Sequence, residues 1–398
     1  MTYLWSRAQR RKLTHRTMNG SRHLQQHGKP GAGMTSGWCP IERAAAQGTG
    51  TCGPFNWALA KRSGLVLAMA LLLQQAAGPA QAAPVQVKLA TLAPKGSSIH
   101  TILMEMGEAW RQAPEGGVRL TVYADGVMGG ESDMVRKMRF GQLQAAALTA
   151  VGLREITPSV SALQFMPMMF RSWEEVDYVL EQMAPRLEKE FADKGFVVLT
   201  WSYAGWVKYF SKEPALYPDD FKRMKVFTWA GGVEEQRLMR SLGYNPVPLE
   251  TADILPALQT GLINAVPAPP AYANAGQFHT QLSYMLDLNW APIVGGVVIT
   301  RQVWAKLPAA TQAAIRQAAQ IAGAKLKERS RKENEEAVQA MQKRGLKVTP
   351  VTPEVEAAWR RVAESVYPDI RGTLVPADEF DHVQRLLKEF RARTQSGK

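Results

Sequence analysis

The sequence predicts an α/β protein of two lobes, and three observations carry that expectation. The stretch Phe221 to Pro270 alternates short apolar runs with helical patterns, the signature of a parallel sheet with crossover helices. A chain of 398 residues is long enough for two cores, yet no low-complexity linker or internal repeat divides it, so the backbone must pass between lobes more than once. A helical pattern starting at Pro308 runs to about Arg344, long enough to brace both lobes.

Within the first of these stretches, Met224 to Trp229 reads as a strand broken by Gly231-Gly232. Val233 to Leu242 reads as a helix with Leu238 and Leu242 on one side and Gly243 as its stop. Tyr244 to Leu249 is a short edge strand carrying two prolines. Asp253 to Gln259 is a helix stopped by Gly261, and Leu262 to Val266 is a third strand. Open sheets of this kind hold ligands beyond the carboxyl ends of their strands. Those ends are Phe227-Thr228-Trp229 and Val266-Pro267-Ala268, with Thr149 at the end of the small apolar strand Leu143 to Thr149.

The other elements follow in order. Val85 to Thr91 alternates as a first strand, and Ser97-Ser98 caps a helix with Ile99, Ile102, Leu103, Met106 and Trp110 on one face. Val118 to Tyr123 is a strand and Glu131 to Arg139 a helix. Phe165 to Phe170 is a soft, methionine-rich patch that reads as core or as pocket wall. Trp173 to Phe191 is an amphipathic helix. Phe196 to Trp201 is a strand leading into an aromatic segment through Phe210. Ala271 to Leu282 reads as one helix, and Tyr284 to Leu288 and Ile293 to Thr300 as strands. The basic run Lys325 to Lys332 is interleaved with Glu and reads as a solvated face. Lys347 to Val351 is a last strand, and helices follow at Pro353–Val366 and Ala377–Arg391.

The formal charge of +13 does not describe the folded part. Residues 1–82 hold ten Lys/Arg and one acidic residue, which leaves +4 for the remainder and removes the case for nucleic acid as a partner. Lys61-Arg62, the apolar run SGLVLAMALLL and Ala80-Gln81-Ala82 form a secretion signal with cleavage expected after Ala82. Residues 1–56 are long for such a signal and suggest a start codon placed too far upstream. Both cysteines, Cys39 and Cys52, lie in this leader, so the mature chain is expected to have neither disulfide nor thiolate site. The sequence has no HExxH, CxxC, GxSxG, GxGxxG or Walker loop, and the histidines of the mature chain, His100, His279 and His382, are far apart. No catalytic residue, cofactor or metal is expected, and the chain reads as a binding protein rather than an enzyme.

Four stretches, VKLATLAPKGSS, FADKGFVVLTWSYAGW, DDFKRMKV and LGYNPVPLETADILPALQTGLINAV, resemble the substrate-binding proteins of tripartite ATP-independent periplasmic (TRAP) transporters, dicarboxylate-binding type. The similarity spans roughly Val85 to Arg391, and Ala257 to Gly261 (ALQTG) is its most specific piece. It implies a two-lobe periplasmic-binding-protein fold with mixed or parallel sheets, a hinged cleft and a long bracing helix. It implies a periplasmic receptor that takes a small organic ligand to TRAP-type integral membrane subunits. A ligand-responsive sensor or docking protein on the same fold is the alternative. The expected division is a leader at 1–82, a first lobe at 84–204 plus about 295–335, and a second at 205–294 plus about 336–392.

The chain departs from the family pattern where the resemblance places the ligand. The usual K-[IL]-R-V-P is Lys225-Val226-Phe227-Thr228-Trp229 here, so the carboxylate-clamping arginine falls on Phe227. A second arginine of many members falls on Val207, and the usual D-G-x-E-N-P falls on Asn264 to Pro269. A buried carboxylate that loses its counter-charge costs roughly 3–5 kcal/mol, and a phenylalanine cannot replace the two charge-assisted hydrogen bonds of a guanidinium. The expected site is therefore an apolar wall of Phe227, Trp229, Val207, Trp206, Trp201 and Met168, with Thr149, Val266 and Ala268 at the strand ends, holding a hydrophobic or neutral ligand. A moved clamp, built from Lys208, Arg154 or Lys95 and holding an organic acid, is the competing expectation. A third is that the aromatic residues only pack the core.

Overall fold

The computed structural model describes residues 83–396; the leader, with Cys39, Cys52 and the expected cleavage after Ala82, lies outside the described residues. The first lobe begins with β1 (Val85–Thr91), α1 (Ser98–Arg111), β2 (Val118–Tyr123), α2 (Glu131–Arg139), β3 (Ala145–Thr149), α3 (Ala150–Leu153), α4 (Trp173–Asp193) and β4 (Phe196–Trp206). The chain then enters the second lobe with β5 (Lys208–Ser211), α5 (Pro218–Lys222), β6 (Lys225–Trp229), α6 (Val233–Ser241), β7 (Asn245–Leu249), α7 (Ile254–Thr260), β8 (Ala265–Ala268), α8 (Pro270–Ala275) and β9 (Tyr284–Leu286). It returns through β10 (Pro292–Thr300), α9 (Arg301–Trp304) and α10 (Ala309–Gln342). It ends with β11 (Lys347–Thr349), α11 (Pro353–Ser365), α12 (Tyr367–Ile370) and α13 (Ala377–Ser396).

Each lobe carries one mixed sheet. The first has the order β2-β1-β3-β10-β4, with β1 parallel to β2 and β3 and β10 antiparallel to both its neighbours. The second has the order β11-β9-β5-β8-β6-β7, with β6 parallel to β7 and β8. Parallel pairs need crossover helices, and α1, α2, α6 and α7 supply them. α1 shows how the sequence does this locally. Ser97 accepts a hydrogen bond from His100 N at 3.3 Å, and the spacing of Ile102, Leu103, Met106 and Trp110 buries one face against the sheet.

The lobes are joined at a hinge and a brace. At the hinge Val207 N donates to Ala291 O at 2.9 Å and Trp290 N donates to Val207 O at 3.1 Å, so the outgoing and returning strands cross side by side. The brace is α10. Ile315, Ala319, Ala322 and Leu326 belong to the core of the first lobe, and Ala337 and Met341 to that of the second. The basic run on this helix meets acidic partners: Lys325 pairs with Glu105 at 2.8 Å, and Lys327 and Arg331 pair with Asp177 at 3.2 and 2.7 Å.

Three elements differ from the sequence reading. The expected helix Ala271–Leu282 stops at Ala275, because Gln277 takes a left-handed φ of 56° and a single 3-10 turn follows. β4 continues to Trp206, since it pairs with β10 as far as Pro292. The last helix, α13, sits on the first lobe rather than the second. Phe380, Val383, Leu386 and Leu387 join Val176, Leu180 and Met183 of α4 in one core, and Arg391 grips Glu175 with bonds of 2.7 and 2.8 Å. An amphipathic face announces that a helix is buried but not against which neighbour.

Gly323 lets α10 lie against β4. A Cβ there would stand 1.9 Å from Thr200 Oγ1 and 3.0 Å from the Trp201 carbonyl oxygen. Gly323→Ala is expected to destabilise the fold by about 1–3 kcal/mol, read as a lowered thermal unfolding midpoint; an unchanged midpoint would mean that the helix is not seated this closely.

Candidate functional site

The carboxyl ends of the parallel strands converge on one cavity of about 630 Å³ between the lobes. Thr91 of β1 and Thr149 of β3 line it from the first lobe, and Trp229 of β6 and Ala268 of β8 from the second, as open α/β sheets require. The hinge contributes Val207, Trp290 and Ala291, and α10 contributes Ser330, Glu333, Asn334 and Ala337.

Six of the residues singled out in the sequence line this cavity: Phe227, Trp229, Val207, Thr149, Val266 and Ala268. Phe227 is 2% exposed and meets Trp229 edge to face at 5.1 Å. Trp201, Trp206 and Met168 are elsewhere. The Trp201 indole donates to Glu188 at 3.1 Å and packs edge-on against Phe191, and Trp206 packs on Trp173 at 5.0 Å, both within the first lobe's core. The Met168 side chain joins Phe221 and Trp359 in a core of the second. Trp201 and Trp206 are five residues apart, and the register shift of β4 between Tyr203 and Gly205 is what lets both join one core, which an aromatic-rich string cannot reveal by itself.

The three candidate cations for a moved clamp are also outside the wall. Lys208 Nζ is 2.5 Å from Asp287 Oδ1. Lys95 is exposed, and its backbone N–H donates to Asp125 Oδ1 at 2.8 Å. Arg154 reaches across the lobes to Glu235 Oε1 at 2.5 Å and lies over the Phe165 ring at 4.5 Å. Among the described residues, Arg329 is the one Lys or Arg in the wall, and it pairs with Glu336 at 3.5 Å.

The polar groups of the wall are mostly ones the sequence reading passed over. Glu131 is buried at the start of α2 and accepts from Thr149 N (2.8 Å), Thr149 Oγ1 (2.7 Å) and Gly152 N (2.7 Å). Burial pushes its carboxyl above the usual carboxylate range, against the pull of those three donors. Gly152 is needed for this contact, since a Cβ there would lie 2.7 Å from Glu131 Cβ. Glu333 accepts from the Ser98 hydroxyl. Asn334 ties the lobes to the brace, with Nδ2 donating to Ala204 O at 3.1 Å and Oδ1 accepting from Ala271 N at 3.0 Å. Three buried polar atoms of wall residues have no hydrogen-bond partner: Glu235 Oε2, the Ser330 hydroxyl and the Tyr244 hydroxyl. Burial pushes the Tyr244 hydroxyl up to about 12, so it stays protonated. A glutamate on a helix reads by default as a solvated residue, and no spacing rule links Glu131 to Thr149 or Glu235 to Arg154. The one available signal was the placement of Leu238 and Leu242 on the same side of α6 as Glu235.

This arrangement, two lobes joined at a hinge with the strand ends of both opening on one cleft, is that of a solute-binding protein. Residues 89–372 match the model of the bacterial extracellular solute-binding protein family 7, DctP, and the chain belongs to that family, whose members are TRAP-type solute receptors and not enzymes. It is 24% identical over 298 residues to the C4-dicarboxylate-binding periplasmic protein DctP of Rhodobacter capsulatus, covering 73% of this chain and 88% of that one. The fold is that of the sugar acid binding protein DctPAm from Advenella mimigardefordensis, solved with galactonate (TM-score 0.72, 16% identity, 77% of this chain and 99% of that one). It is also that of a Shewanella oneidensis TRAP solute-binding protein solved with succinate (TM-score 0.71, 18% identity, 77% and 100%).

Because Glu131 holds its proton more tightly folded than unfolded, its contribution favours the fold at low pH. That contribution falls away as pH rises from the ordinary glutamate value through the raised one. Glu131→Gln is therefore expected to flatten the loss of thermal stability as pH rises above the ordinary glutamate value, relative to the parent; parallel stability–pH curves would show that Glu131 is not a buried ionisable group.

Proposed function

We propose that this chain, exported to the periplasm by its leader, captures a small, predominantly hydrophobic and uncharged organic ligand in the inter-lobe cavity. It delivers that ligand to TRAP-type membrane transporter subunits. The observation that carries the reading is the charge of the wall. Phe227 stands where the family resemblance expects the clamping arginine, and the wall's carboxylates Glu131, Glu235, Glu333 and Glu336 face a single arginine already paired to one of them. An acid placed there would find hydroxyl donors such as Tyr244 and Ser330 but no free counter-charge among the described wall residues, and would lose most of its hydration without one. An apolar body gains instead about 0.8 kcal/mol for each CH₂ buried. Phe227, Trp229, Val207, Val266, Ala268 and Thr149 are the contacts assigned to that body.

An organic-acid cargo is the second reading. The Rhodobacter capsulatus relative is named for C4-dicarboxylates, and the two solved relatives carry galactonate and succinate. Mass spectrometry of an organic extract from protein purified without added ligand separates the two. An apolar neutral compound is expected; recovery of small dicarboxylates or sugar acids alone would overturn the proposal. In the complementary test, Phe227→Arg should raise succinate affinity by about tenfold or more, the worth of a charge-assisted hydrogen bond, measured by calorimetry on variant protein with a normal unfolding midpoint. A parent protein that already binds succinate well, with no gain in the variant, would return the acid reading.

A further inference from the structure

The crossover helix α6 of the second lobe does not pack on its own lobe alone. Met239 lies against a core of the second lobe, whereas Leu238 and Leu242 lie against the core of the first. On the same helix Glu235 Oε1 accepts from Arg154 Nη1 of the first lobe at 2.5 Å, and Oε2 is buried without a hydrogen-bond partner. Both side chains of this pair are largely withdrawn from water, at 16% and 20% exposed. The Arg154 guanidinium is backed by the Phe165 ring of its own lobe at 4.5 Å. The lobes meet again where the turn before α2 reaches the second lobe. A Cβ at Gly130 would stand 2.8 Å from Glu250 Oε2, one at Gly126 3.6 Å from Thr251 Oγ1, and one at Gly231 3.4 Å from Ser132 Oγ.

A carboxylate or a guanidinium leaves water alone only at a large cost, but as a pair the two leave it at little net cost. The burial of Leu238 and Leu242 against the first lobe then supplies an attraction that needs no ligand. We propose that α6 is a clasp: these contacts of the chain itself hold the lobes in this closed arrangement, and the receptor populates it before any ligand is bound. Entry and release of cargo then require the clasp to open. The proposal uses no ligand contact, so it stands or falls apart from the apolar reading of the cavity.

A disulfide trap reads the closed fraction. Residues 83–398 contain no cysteine, so Ser132→Cys with Gly231→Cys, in full-length protein that also carries Cys39→Ser and Cys52→Ser, provides one thiol pair. Its two positions are within reach of a disulfide while the lobes are in this arrangement. With oxidised glutathione as the oxidant, protein stripped of ligand by unfolding and refolding should crosslink at a rate within about twofold of the unstripped protein. Arg154→Met leaves Glu235 without its counter-charge and should lower the closed-to-open ratio about tenfold or more. The crosslink then slows about twofold if the parent is nine-tenths closed and about fivefold if it is half closed. Leu238→Ser should slow it likewise. The exchange Arg154→Glu with Glu235→Arg restores opposite charges and should return the rate to within about twofold of the parent, which a misfolded variant would not do. A trap that closes only in unstripped protein overturns the clasp and assigns closure to the ligand. Equal rates in the parent and Arg154→Met, both with normal unfolding midpoints, overturn the role of the pair, and equal rates in the parent and Leu238→Ser overturn the seat of α6 on the first lobe.

Discussion

A charge withdrawn from water must be neutralised where it sits, and the cleft of this protein has already spent its cations on itself. Arg154 is held by Glu235, Arg329 by Glu336 and Lys208 by Asp287, so these three cations at or beside the cavity each answer a carboxylate of the same chain. Such pairs contribute little net stability when partly wet, but each removes a group that could otherwise receive an acidic ligand. Among the described residues of the wall, four glutamates therefore stand beside one arginine, and that arginine is already paired.

The scaffold that presents this wall obeys constraints independent of the ligand. Strand pairing at Val207 and Ala291 fixes the lobes along one line, and α10 fixes them along another, so the remaining freedom is rotation about the hinge. Asn334 stands where the two constraints meet, bonded to Ala204 of the first lobe and Ala271 of the second. Its amide uses both donor and acceptor in that position, which makes it a joint rather than a ligand contact.

The periodic parts of this architecture were legible in the sequence. The strands and helices of 221–270 fall within a few residues of their expected bounds, because two-residue and 3.6-residue periods alternate there without ambiguity. The topological rule for strand ends then led from the sequence to Phe227, Trp229, Thr149, Val266 and Ala268. Legibility stopped where a fact depends on a distant partner. Trp201 and Trp206 carry the same aromatic character as Trp229, but the register shift between them in β4 and the neighbours Phe191 and Trp173 make both of them core. Gln277 reads as an ordinary helical residue, and only its positive φ breaks the helix. Glu131 and Glu235 find their partners 18 and 81 residues away, and no local pattern distinguishes them from the solvated glutamates around them.

The Glu235–Arg154 pair is tied to the relative placement of the lobes. Its carboxylate belongs to the second lobe and its guanidinium to the first, so the contact is made only while the lobes are in this arrangement. Rotation about the hinge would break the pair and return both groups to water. Differential affinity for two such arrangements is the only way a ligand can bias them, so a ligand held by both walls at once favours this arrangement over a separated one.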